Sequence, residues 1–200
     1  MVASYTHLEL AMRISELSKV TGIPLATLKD LRHREILQLA VSTGLEKPPE
    51  GRSWGQFSVP AAIIVFAAKE VREQYGMGWN EAVSFARNAL AQVRWPVDGA
   101  QVSAKFFDLN GVPEEVWVGR FEFSEGTAFH GKWNADNWNC FACVLPDIGD
   151  QQAKITAKLR DALGNEAPAD VAPTSCLLMN ASRLLRDFRE SMCKHGLWSE

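Results

Sequence analysis

The 200-residue chain contains no run of about eighteen apolar residues, so no membrane-spanning helix is expected. Its opening, M-V-A-S-Y-T-H-L-E-L, has no basic stretch followed by an apolar block. A secretory leader is therefore not expected, and the cytoplasm is the expected compartment. No cysteine precedes Cys140; that residue, Cys143, Cys176 and Cys193 are the full set, and reduced thiols are expected there. The chain also lacks a glycine-rich phosphate loop, a G-x-S-x-G elbow and a histidine pair at helical spacing. Glu114 and Glu115 read most simply as solvated residues at a strand start. No catalysis and no cofactor are expected. Strong positive charge is missing too, since the net charge is −3.

Hydrophobic residues make up 46% and charged residues 22%, as in a folded soluble chain of one large or two small domains. The charge is uneven. Residues 1–92 hold ten Lys or Arg against nine Asp or Glu, whereas the remainder holds eleven against fifteen. Phosphate neutralisation depends on local charge, so a small positive patch on an acidic chain is compatible with DNA binding.

The most informative stretch is residues 14–37, I-S-E-L-S-K-V-T-G-I-P-L-A-T-L-K-D-L-R-H-R-E-I-L. Ser15 is the expected N-cap of a short helix, with Glu16 in the first turn, where the helix dipole favours a carboxylate. Leu17 and Val20 recur at helical spacing. Thr21-Gly22 ends the helix, with Gly22 supplying a left-handed conformation. Ile23 plugs the gap between two helices, and Pro24 begins the second, where its missing N–H is not needed. The second helix is expected over about 24–34. At about 100° per residue, Leu28 and Leu31 point one way, and Ala26, Lys29, Asp30 and His33 point the other, flanked by Arg32 and Arg34. Such a face suits a major groove: Lys29 reaches a guanine or a phosphate, and Ala26 a thymine methyl. Asp30 repels phosphate there unless it accepts from a cytosine or pairs with a neighbouring arginine. The bland alternative is a surface helical hairpin with a solvated charged face.

Residues 38–57 read as irregular and end in G-R-S-W-G-Q-F, an apparent β-ribbon with Arg52, Ser53, Trp54 and Gln56 near its tip. Arg52 could lie on backbone phosphate or in a minor groove, while Trp54 and Phe57 read as packing anchors. Ser58 then caps a helix with Pro60 in its first turn. The run Ala61–Ala68 makes that helix apolar nearly all round, so it should be the buried centre of the module. Gly76 and Gly78 break it, and a fourth helix follows over about 79–93.

This order resembles the winged helix-turn-helix of the MerR family over about residues 12–92. The resemblance is carried by Ile14, Ser15, Glu16, Leu17, Thr21, Gly22, Ile23, Pro24, Thr27, Leu28 and Lys29, with G-R-S-W-G-Q-F-S-V-P-A-A-I in the place of the family's wing and G-M-G-W-N-E in that of its next loop. It departs at Asp30-Leu31, where the family has aromatics, in a longer linker before the wing, and at Gly55, where the wing arginine would fall. Phage excisionases and terminase small subunits share such a module. The expected DNA contacts are Ser15 and, from the second helix and the ribbon, Pro24, Leu25, Ala26, Thr27, Lys29, Arg32, His33, Arg34, Arg52, Ser53, Trp54 and Gln56.

Beyond a linker at Pro96–Gly99, strands are expected at 101–107, 115–123 and 139–145, separated by turn signals. Phe106, Phe107, Trp117, Phe121, Phe123, Phe129, Trp133, Trp138 and Phe141 read as the core of a small antiparallel sheet, or as the lining of a ligand pocket. A short helix is expected at 151–163. A last helix is expected over about 175–194, with a stripe of Leu177, Leu178, Ala181, Leu184, Leu185, Phe188 and Met192 that either covers the sheet or pairs with a second copy. Cys140-Phe-Ala-Cys143 raises a zinc site, with Cys176, Cys193, His130 and His195 as further ligands. Residues three apart on a straight strand point to opposite faces, however, and buried thiols with no metal are expected.

The expected fold is thus α+β: a winged helix-turn-helix over 1–94, then an α+β domain over 97–200 for dimerisation or effector binding. The expected function is sequence-specific binding of double-stranded DNA by a bacterial or phage transcriptional regulator acting as a homodimer. The alternatives are a phage DNA-packaging or recombination accessory protein, or a winged-helix protein-interaction module.

Overall fold

The computed structural model describes residues 11–37, 56–92, 115–123, 139–163 and 172–198. The strand expected at 101–107, the linker at 96–99, and Arg52, Ser53, Trp54, Phe106, Phe107, Phe129, His130, Trp133 and Trp138 lie outside these residues. The described chain is α+β, with six helices and two small antiparallel sheets.

A short strand β1 (Ala11–Arg13) runs directly into helix α1 (Ile14–Thr21), and α2 (Leu25–His33) follows after a three-residue turn. β1 pairs antiparallel with β2 (Gln56–Ser58), placing Met12 opposite Phe57, and both side chains are buried. Phe57 is thus the core anchor expected of it. β2 runs into α3 (Val59–Tyr75), whose N-terminus is capped by the Ser58 hydroxyl accepting from the Ala61 amide at 3.3 Å. Residues 59–68 of α3 are all buried, as an all-round apolar helix requires. Gly76 ends α3 at φ 70, a conformation that L side chains rarely adopt, and α4 (Trp79–Leu90) follows. α4 stops three residues short of the expected end.

The second sheet has the order β4 (Cys140–Cys143), β3 (Trp117–Phe123), β5 (Pro173–Asn180). A single turn of 3-10 helix (Leu145–Asp147) leads from β4 into α5 (Ile148–Leu163). Successive side chains alternate between the two faces of the sheet. Val118, Ala142, Leu177 and Met179 join the large core that includes α1 to α4. Phe121, Phe141, Cys143, Cys176 and Leu178 lie on the other face and pack with Ile148 and Ile155 of α5. Phe121 and Phe141 stack with ring centroids 4.6 Å apart. The sheet is therefore a middle layer between α5 and the helical layer, and Phe121, Phe123 and Phe141 pack in the core on its α5 side.

The segment after 172 corrects the expectation. Residues 173–180 form a strand, and the last helix, α6 (Ala181–Lys194), begins only at Ala181. Leu177 and Leu178 do not share a helical stripe; they point to opposite faces of β5. Asn180 ends the strand and caps the helix, its side-chain oxygen accepting from the Arg183 amide at 2.8 Å. The remaining stripe, Ala181, Leu184, Leu185, Phe188 and Met192, is buried in the chain's own core. Its two readings are thereby decided: it covers this chain and does not present itself to a second copy.

Several polar contacts fasten the layers. The Tyr75 hydroxyl at the end of α3 donates to the Leu178 carbonyl at 2.7 Å and accepts from the Leu178 amide at 2.9 Å. It occupies the outer edge of β5, where those two groups would otherwise have no ladder partner. Arg120 of β3 pairs with Glu122 and Glu81, the latter on α4, and lies over the ring of Phe85. The Ser191 hydroxyl of α6 donates to the Val20 carbonyl in the last turn of α1 at 2.7 Å.

Candidate nucleic-acid interface

The turn between α1 and α2 is built by local hydrogen bonds. Gly22 adopts φ 69 and its amide donates to the Ser18 carbonyl at 2.9 Å. The Thr21 hydroxyl donates to the Leu17 carbonyl at 2.7 Å and accepts from the Ile23 amide at 3.2 Å. The Ser18 hydroxyl donates to the Ile23 carbonyl at 2.7 Å. Ile23 is buried, so both polar groups of its backbone are satisfied while its side chain fills the space between the helices. The angle at which α2 leaves α1 is thus held by a threonine, a serine and a glycine within six residues.

Ser15 does not cap α1. The N-cap is Arg13, whose extended backbone (φ −72, ψ 158) continues β1, and the Glu16 carboxylate accepts from the Arg13 amide at 2.6 Å. The strand fixes the helix start two residues early, and Glu16 takes the capping task by reaching back. Ser15 is exposed in the first turn. Arg13 is an exposed cation beside the ribbon that the expected set did not include; a basic residue just before the helix start was its signal.

On α2, Pro24 is the N-cap and its carbonyl accepts from the Leu28 amide at 3.1 Å. Leu28 and Leu31 are buried, and Ile36 and Leu37 anchor the chain again after the helix. Ala26, Lys29, Asp30, Arg32, His33 and Arg34 are all exposed, Thr27 is half-buried, and Leu25 is 36% exposed. Ala26, Lys29, Asp30 and His33 therefore share the side of α2 away from Leu28 and Leu31, with Arg32 and Arg34 flanking them. Among the described residues no carboxylate pairs with Lys29 or Arg32, while Asp30 and Arg34 approach to 3.6 Å one helical turn apart. The pair is open to solvent on both sides, so it contributes little to stability. Gln56 opens β2 opposite Arg13, which puts the end of the ribbon beside the start of α1. The rest of the expected ribbon tip lies outside the described residues.

The thiols form a different environment. Cys140 is buried on the face of the sheet shared with Arg120, and burial pushes its pKa up to about 12. Cys143 lies on the opposite face, and burial raises its pKa also. Cys176 is pushed up to about 11, first by burial and then by Cys143 and Glu122. Such thiols are protonated at neutral pH and are poor nucleophiles and ligands in that form. Cys140 and Cys143 do not converge, and no group of three or more His, Cys, Asp or Glu placed to hold a metal occurs among the described residues. No helix of the described residues is long and apolar enough to cross a membrane.

No family model, curated protein or solved structure matches this chain.

Proposed function

We propose that this chain binds double-stranded DNA through α2, as a sequence-specific reader of the kind that regulates transcription in bacteria or phage. The observation that carries the reading is the outward face of α2. Lys29 and His33 project with Ala26 from a helix whose other side is locked by Leu28 and Leu31, and exposed Arg32 and Arg34 flank them. Short and cationic side chains on the exposed face of a helix are what a major groove admits. The order of elements supports the same reading: a short helix, a three-residue turn, the outward helix, and a ribbon strand leading into a buried helix. This order is compatible with the winged helix-turn-helix that the sequence resemblance to the MerR family implies. Ala26, Lys29 and His33 lie nearest base edges, and Arg32, Arg34 and Arg13 supply charge for phosphates. Any pairing of two copies on a palindromic site uses a surface other than the buried α6 stripe.

Duplex titrations at several salt concentrations test this placement. Lys29→Ala and Arg32→Ala are each expected to weaken binding and to lower the slope of log affinity against log salt by about 1 for each phosphate no longer neutralised. Unchanged affinity and slope in both variants would remove α2 from the interface.

A further inference from the structure

The first turn of α2 differs from the rest of the helix in presenting an apolar tip. Pro24 is the N-cap, Leu25 and Ala26 are the first two helical positions, and all three are exposed. Thr27 is half-buried and Leu28 buried, so the first fully exposed polar side chain is that of Lys29. Leu25 is 36% exposed, and the only other large hydrophobic side chain exposed among the described residues is Val144, just after β4. Lys29 lies about 40° from Leu25 around the helix axis and Arg32 about 20° from it, one and two turns further along. Neither cation pairs with a carboxylate among the described residues. Asp30 and Arg34 lie about 140° and about 180° from Leu25, and they offset each other at 3.6 Å. One stripe of α2 therefore runs from an apolar tip to two uncompensated cations. A major groove has phosphates on its walls and base edges on its floor, and the N-terminal residues of a reading helix are the ones that reach those edges. The tip can neither donate nor accept through a side chain. The one apolar group that a base pair shows in the major groove is the C5 methyl of thymine.

Resting on the reading of α2 as the DNA-contacting helix, we propose that Leu25 makes this protein select a thymine, by packing on its C5 methyl group in the major groove. Ala26 lies beside it at the tip, and Lys29 and Arg32 on the same stripe meet the adjacent phosphates. A base pair that places a polar edge against Leu25 gains no partner there and loses water, so the same side chain disfavours other bases at that position.

The test is selection from a random duplex pool with sequencing, followed by titration of the selected duplex with each thymine replaced in turn by deoxyuridine. That replacement removes the C5 methyl and leaves base pairing intact. The unsubstituted chain is expected to enrich thymine and, at one such position, to bind the deoxyuridine duplex about three- to fivefold more weakly. Leu25→Ala is expected to bind the two duplexes alike. Leu25 belongs to neither buried cluster, so the substitution leaves the core filled. A selected motif in which no thymine methyl affects affinity overturns the role of Leu25 and leaves the DNA reading standing. The same discrimination in Leu25→Ala overturns it too, as does retention without an enriched motif. No retention of the pool by the unsubstituted chain at low salt removes the DNA reading and this inference together.

Discussion

Gly119 sits where three strands meet. A Cβ placed on it would lie 2.5 Å from the Leu177 carbonyl oxygen and 2.6 Å from the Phe141 ring. Gly119→Ala is therefore expected to destabilise the fold by about 1–3 kcal/mol, read from urea unfolding. The thiols make a second prediction at this scale. Folding raises Cys140 from 9.0 to about 12 and Cys176 to about 11. Above pH 9 the unfolded chain loses thiol protons that the folded chain keeps, so the stabilisation is present below pH 9 and is lost as pH rises towards 12. Denaturation midpoints measured from pH 8 to 11 are expected to fall, and to fall less in a Cys140→Ala variant. Residue by residue, the outward face of α2 was legible because helical period alone separates Leu28 and Leu31 from Ala26, Lys29 and His33. The role of Ser15 was misjudged because the cap depends on where β1 ends, and β1 is defined by residues more than forty positions away in β2.

At the scale of elements, Gly22 marked the end of α1, Pro24 the start of α2, and Ser58 and Gly76 the two ends of α3, since those signals act within a few residues. β3 and β4 were legible from their alternation and aromatic content. β5 was not. Its leucines fit a helical stripe as readily as a strand, and what decides between them is a vacant edge on β3, some fifty residues earlier in the chain. The structure answers that edge with residues 173–180 and then closes the outer edge of β5 with Tyr75. Tyr75→Phe removes both hydrogen bonds to Leu178. It is expected to lower stability by about 1–3 kcal/mol, with amide exchange at Leu178 rising more than at Val118 in the middle strand.

Across the whole molecule, the buried cluster around α1, α3 and α4 also takes in Val118, Met179, Leu185, Phe188, Met192 and Trp198. Phe188 meets Phe66 edge to face at 5.6 Å, and Ser191 holds the end of α1. The proposed reading helix is thus supported through α1 by the last helix of the chain. Phe188→Ala is expected to cost about 3–5 kcal/mol and to loosen α1 and α2 together with the sheet, in one transition followed by both circular dichroism and tryptophan fluorescence. Two separate transitions would contradict a shared core. The proposed function rests on the α2 face alone, because affinity for DNA is a property of charge and shape presented to a partner. The most direct measurement is retention of a random-sequence duplex pool by the intact chain at low and at physiological salt. The account predicts retention at low salt that weakens steeply as salt rises, with an enriched motif in the retained fraction. No retention at low salt would contradict it.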